Sequence, residues 1–129
     1  MTSVALPAHP TSASRARRFA REQVTGQPPD VANAVSLLTT ELVANAVLHA
    51  RTDLLLVVEV EPRLVRVTVS DGSTQLPVVR QYAADDVTGR GLALVELFAA
   101  RWGVSVTDEG KSVWCEIVIP VHSAQEQPA

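Results

Sequence analysis

Cysteine occurs once, at position 115, so the chain can form neither an intrachain disulfide nor a cysteine-based metal cage. That usage is compatible with a reducing compartment. Aromatic residues make up only 4% of the sequence, so the core must be aliphatic. Lysine also occurs once, as Lys111, beside ten arginines. The net charge of −3 gives no reason to expect nucleic acid or an acidic membrane as the main partner. The longest strongly apolar run, Leu54 to Val58, is far too short to cross a bilayer. The N-terminus lacks a long apolar stretch flanked by basic residues, so no signal peptide is expected and the expected location is the cytoplasm. No internal repeat is present.

What is present fits one globular domain: 129 residues, 47% hydrophobic and 19% charged. We expect that domain over 11–121. Residues 1–10 precede it, with Val4 to Leu6 able to add a short edge strand, and 122–129 form a polar tail expected to be flexible. Thr11 or Ser12 can cap a helix running to about Val24. Its inner face is Ala16, Phe19, Ala20 and Val24; Arg15, Arg17, Arg18 and Arg21 on the opposite side read as a solvated face, with a partner-binding role as the lesser alternative. Gly26-Gln27-Pro28-Pro29 breaks the helix, and Asp30 is the expected N-cap of the next one.

That next helix, ending near Ala50, organises the chain. Leu42, Val43, Ala44, Ala46, Val47 and Leu48 make its second half apolar nearly all round, as in a buried helix. Glu41, Asn45 and His49 interrupt this run at i, i+4 and i+8, forming one narrow polar stripe. A carboxylate in a buried stripe must be paired, bound to a ligand or open to a cleft.

Leu54 to Glu61 and Leu64 to Ser70 read as a β-hairpin around Glu61-Pro62-Arg63. Val65, Val67 and Val69 alternate with Arg66, Thr68 and Ser70, giving one buried and one wet face. Asp71 continues the parity of the valines and should point toward the covered face. Residues 73–88 read as a long loop. Leu92 to Arg101 predicts a helix with Leu92, Val95, Phe98 and Ala99 inward. A final hairpin pairs Trp102 to Thr107 with Ser112 to Val121 around Asp108 to Lys111, burying Val113, Cys115, Ile117 and Ile119. Hairpins with helices packed on one face predict an α+β, two-layer sandwich with a mostly antiparallel sheet.

Four segments can carry chemistry. On the organising helix, Glu41 can act as a general base. Asn45, one turn later, offers a neutral amide oxygen suited to a hard cation that keeps water and phosphate ligands. A plainer reading pairs Glu41 with an arginine and lets Asn45 cap a backbone group. His49, near the helix end, reads as structural, and the three scattered histidines do not make a metal site. Second, Asp71-Gly72 at a strand end can accept a hydrogen bond from an exocyclic amine and admit a flat ring, or can simply be a turn. Third, Gly89-Arg90-Gly91-Leu92 before a helix can expose N–H groups to a phosphate, with Arg90 adding charge, or can be an ordinary junction. Fourth, in Gly110-Lys111-Ser112-Val113-Trp114 the glycine serves a hairpin and the Ser112 hydroxyl can contact a ligand or a bridging water.

Together and in this order, the four segments resemble the motif set of the Bergerat-fold (GHKL) ATPases, a superfamily that includes gyrase and histidine kinases. The likeness runs from Ala13 to Val121 and is greatest to the small single-domain anti-sigma factor serine/threonine kinases of bacterial partner switching. The resemblance implies ATP and Mg²⁺ as cofactors. It places Glu41 as the base, Asn45 at the magnesium and Asp71 with Gly72 at the adenine. Gly89, Arg90, Gly91 and Leu92 fall in the lid over the phosphates, and Ser112 takes a position where threonine is usual. It further implies transfer of the γ-phosphoryl group to a serine or threonine of an anti-sigma antagonist protein, sequestration of a sigma factor, and a homodimer. Two alternatives stand beside it. One is a non-catalytic binder, with ATP or without nucleotide, that sequesters a protein partner. The other is the detached ATP-binding domain of a histidine kinase.

Overall fold

The computed structural model describes residues 1–49, 52–72 and 98–120. In chain order the elements are β1 (Thr2–Leu6), α1 (Ser12–Gln23), α2 (Pro29–His49), β2 (Leu54–Val60), β3 (Leu64–Asp71), β4 (Arg101–Thr107) and β5 (Gly110–Val118). The strands form one sheet of order β1-β2-β3-β5-β4, and every neighbouring pair is antiparallel. Both helices cover one face, which gives the expected α+β two-layer sandwich.

Strand alternation decides which side chains meet the helices. Leu54, Leu56 and Val58 lie inward on β2, Val65, Val67 and Val69 on β3, and Val113, Cys115 and Ile117 on β5, all at or below 8% exposure. The register stacks them across strands, with Leu56 opposite Val69, Val67 opposite Cys115 and Val69 opposite Val113. From the helices, Ala16, Ala20 and Val24 of α1 and Val31, Val35, Leu38, Leu42 and Val43 of α2 complete the core. The alanines let α1 approach α2 closely. Burying each of the larger aliphatic side chains is worth about 1.5–3 kcal/mol.

Helix α2 begins two residues earlier than an Asp30 cap implies. Pro28 donates the capping carbonyl, accepting hydrogen bonds from the N–H groups of Val31 and Ala32, and Pro29 takes the first helical position. Asp30 is therefore not the cap; it lies in the first turn, where the helix dipole favours its charge. By length and composition alone α2 could cross a membrane, at 21 residues and a mean hydropathy of 1.5 in its most apolar window. Half of that window is buried against protein, as befits the core helix of a sandwich. The helix is not buried all round, however. One side meets α1 and the sheet, and Ala44 and Leu48 are exposed on the other, Leu48 by 58%.

The predicted helix over Leu92 to Arg101 falls largely outside the described residues. Phe98 is still helical, but the chain has left the helix by Ala99 and Arg101 opens β4. The sheet claims these residues: the Ala100 N–H donates to the Glu116 carbonyl at 2.8 Å, and Arg101 pairs with Glu116. Phe98, expected inward, is 50% exposed, whereas Ala99 packs on the core. The last turn is also tighter than expected. Asp108 and Glu109 form it, and Gly110 and Lys111 already belong to β5.

Cys115 is wholly buried between Val67 and Trp102 in the register. Burial, with the neighbouring Glu116 charge adding to it, pushes its thiol from 9.0 up to about 12. Through that window the folded chain keeps a proton that the unfolded chain loses. The thiol's contribution is therefore intact below pH 9.0 and is lost as the pH rises toward about 12. Urea titrations across this range should show a steeper alkaline loss of stability in the wild type than in Cys115→Val. Parallel curves would remove Cys115 as a cause.

Candidate functional site

The organising helix delivers its polar stripe in a graded way. Glu41 is half-buried, Asn45 is buried at 8% exposure, and His49 is exposed in the last turn. Successive one-turn steps keep the three on one side of the helix, with burial deepest at Asn45 and least at His49. The Asn45 Oδ1 atom is buried and has no hydrogen-bond partner among the described residues. An amide oxygen in that condition costs stability unless something else satisfies it. Thr39 Oγ1, deeper in the core, is likewise unpartnered, and nothing in the structure explains it.

Opposite the helix layer, β3 ends at Asp71 on the same face as Val65, Val67 and Val69. The sequence reading of its direction is correct, but it missed the partner. Lys111, directly across the register on β5, places Nζ 3.0 Å from Asp71 Oδ2 and 3.2 Å from Oδ1. Both side chains are buried, at 6% and 2% exposure for lysine and aspartate. The signal was available: Lys111 is the only lysine, and it shares the inward parity of Val113 and Cys115. The pair brings two opposite charges into the layer between sheet and helices, where only close pairing offsets the loss of water.

The chain around Asp71 is tightly packed. The Gly72 N–H donates to Thr52 Oγ1 at 2.8 Å, and a Cβ at Gly72 would meet the Thr52 methyl at 3.1 Å. Thr52 is thus a second residue of this corner that the sequence reading did not single out. Gly110 approaches so closely that a Cβ there would overlap the Asp71 carbonyl, and its φ of 147° lies where L-residues are rare.

Ser112 goes elsewhere. It sits opposite Ser70, and the two hydroxyls share a hydrogen bond of 2.7 Å. Strand alternation places that pair on the open face of the sheet, one residue out of phase with Asp71 and Lys111. Asn45 and Asp71 are thus both buried between helices and sheet, whereas Ser112 has the opposite strand phase. Gly89, Arg90, Gly91 and Leu92 lie outside the described residues.

Among the described residues no group of three His, Cys, Asp or Glu side chains could hold a metal by itself. A cation at Asn45 would have to draw its remaining ligands from water or from a bound phosphate, as a hard divalent ion does. The arrangement therefore offers an unsatisfied neutral oxygen, a carboxylate one helical turn before it, and a charged pair across the gap.

Comparison with known proteins bears on the family and the fold. The sequence profile described as the histidine kinase-like ATPase domain matches residues 6–117. The histidine kinase domain of a blue-light-activated histidine kinase from Erythrobacter litoralis shares the fold, with a TM-score of 0.58 and 22% identity over 88% of this chain and 61% of that one. A longer structure of that blue-light-activated histidine kinase gives a TM-score of 0.61 and 21% identity over 88% of this chain and 42% of the other. This chain thus spans about three fifths and two fifths of the two structures, and at such identities the likeness is one of fold. No curated protein sequence matches.

The ion pair makes a prediction. Lys111→Met removes one member of a buried ion pair and should cost about 3–5 kcal/mol in urea unfolding. The double variant Asp71→Asn with Lys111→Met, which removes both charges, should recover most of that loss. A Lys111→Met protein as stable as wild type would show that the pair carries no weight.

Proposed function

The chain belongs to the histidine kinase-like ATPase domain family, and from that premise we propose that it is a Mg-ATP-dependent protein kinase of the anti-sigma type, phosphorylating a serine or threonine on an antagonist protein. The observation that carries the nucleotide part is the buried, unpartnered Asn45 Oδ1 on the helix that also bears Glu41. It fits one ligand position of Mg²⁺, whose role when bound is to neutralise charge on the phosphate oxygens.

Within this reading Asn45 holds the ion and fixes where the phosphates lie. Asp71 accepts a hydrogen bond from the adenine amino group, and Lys111 holds its carboxylate in place. Glu41 takes the proton of the attacking hydroxyl as that oxygen bonds to the γ-phosphorus and the bond to the β-phosphate oxygen breaks, releasing ADP. The half-buried position of Glu41 suits it, since the carboxylate is neither sealed in the core nor fully hydrated. The preference for serine or threonine, the antagonist, sequestration of a sigma factor, homodimer formation and a cytoplasmic location come with the likeness of the motifs and form part of the proposal.

Isothermal calorimetry with Mg-ATP tests the first part. The wild type should bind, and Asn45→Ala should bind at least about tenfold more weakly, as expected when a buried polar contact to a charged group is removed. A wild type without affinity for Mg-ATP overturns the reading. Labelled-phosphate transfer to an antagonist protein tests the second part. Glu41→Ala should retain nucleotide binding and lose transfer by about 10²–10⁴-fold, and unchanged transfer would take Glu41 out of the reaction.

A further inference from the structure

Helix α1 is charged quite differently from the rest of the molecule. It carries Arg15, Arg17, Arg18 and Arg21 against the single acid Glu22, in a chain whose net charge is −3. Two other arginines, Arg66 and Arg101, share the buried Glu116 carboxylate. Arg17 and Arg18 have no ion pair or hydrogen bond among the described residues. Arg21 has only a long contact, Nη1 to Asn33 Oδ1 at 3.5 Å.

Arg17, Arg18 and Arg21 do not simply face open solvent. With Ser14 and Ser36 they line a groove of about 410 Å³ between α1 and α2. Ser36 is the telling member. It is 94% buried by residue, being 6% exposed, yet its hydroxyl engages no hydrogen-bonding group among the described residues; only its backbone carbonyl is used, by Thr40 Oγ1 at 2.8 Å. Its hydroxyl is not sealed in the core: Ser36 lines the groove beside Arg17, Arg18 and Arg21, where the hydroxyl can donate to an anionic ligand. The solvated-face reading of these arginines explains their exposure but not the groove they line with Ser36.

We propose that the α1–α2 groove is the docking site for an acidic segment of a partner protein. Guanidinium groups pair with carboxylates in two-point contacts that fix orientation as well as charge, and three of them around one groove match successive acidic side chains. A short peptide meets only the arginines. Duplex DNA, with a charge about every 1.7 Å along its axis, would extend its field over the remaining, net acidic surface and be repelled. This site is separate from Asn45 and Asp71 and does not depend on the nucleotide reading.

Fluorescence anisotropy with a short fluorescein-labelled poly-glutamate peptide tests it, with poly-glutamine, a short DNA duplex and inorganic phosphate as comparison ligands. The wild type should bind poly-glutamate in a salt-sensitive way and ignore poly-glutamine. Arg17→Glu with Arg18→Glu should weaken binding by at least about tenfold. Arg15→Glu makes a charge change on the same helix outside the groove and should matter far less. Ser36→Ala, which alters no charge, should weaken binding by about two- to tenfold. Thermal melting confirms that each variant is folded, and glutamine in place of glutamate serves where a reversal is not. An equal loss in Arg15→Glu, or no loss in Ser36→Ala, would mean diffuse attraction and overturn the site. Tighter binding of the duplex at equal salt, or full displacement of the peptide by millimolar phosphate, would overturn the acidic-peptide assignment.

Discussion

The pairing of β3 with β5 is the constraint on which the rest of the molecule depends. Its register runs from Leu64 opposite Val118 to Asp71 opposite Lys111 without interruption. Because side chains alternate, this one alignment decides two faces at once. On the helix side it stacks Val65, Val67 and Val69 against Ile117, Cys115 and Val113, and then ends the row with an ion pair. On the open side it sets Arg66 by Glu116 and Ser70 by Ser112. A slip of β5 by one residue would bury Glu116 and Trp114 under the helices and turn Lys111 outward, away from Asp71. The tight approach of Gly110 to the Asp71 carbonyl guards against such a slip, since any side chain there would force the strands apart.

Helix α2 depends on that sheet in turn. Its apolar side is held by contact with β2, β3 and β5, and this packing lets it carry Glu41 and Asn45 at the margin of the core. A surface helix would leave both residues hydrated and loosely placed. A fully enclosed one would have to neutralise the carboxylate. The intermediate placement keeps Asn45 dry and Glu41 partly wet. The same helix supplies Ser36 on another side, toward α1, so one rigid element joins two regions of different chemistry.

Much of this was legible in the residues because period and burial coincide. The valine alternation in β3 fixed its faces, and the apolar density of α2 marked a core helix with a polar stripe. The misreadings arose where local pattern met tertiary competition. Asp30 is a good capping residue, but Pro28-Pro29 had already begun the helix. The amphipathic pattern ending at Arg101 is overridden at Ala99 to Arg101 by sheet hydrogen bonds to a strand that follows in sequence. Ser112 sits in a motif-like segment, but the inward parity of Val113 and Cys115 already turns it outward, and the register pairs it with Ser70, not Asp71. Lys111 escaped notice for the related reason that buried ion pairs are formed by residues 40 positions apart. No local pattern records such a partnership.

The open face of the sheet holds one further connection. Glu116 receives Arg101 at 2.9 Å from edge strand β4 and Arg66 at 3.4 Å from central strand β3, while the Arg66 guanidinium lies 4.3 Å from the centre of the Trp114 ring. A backbone ladder can open like a zipper, rung by rung from its edge. Here the carboxylate of the middle strand is shared by its two neighbours, so the end of β4 that bears Arg101 cannot peel away without also disturbing β3. The three strands respond to a pull as one plate, and this bracing lies on the side of the sheet that neither α1 nor α2 covers.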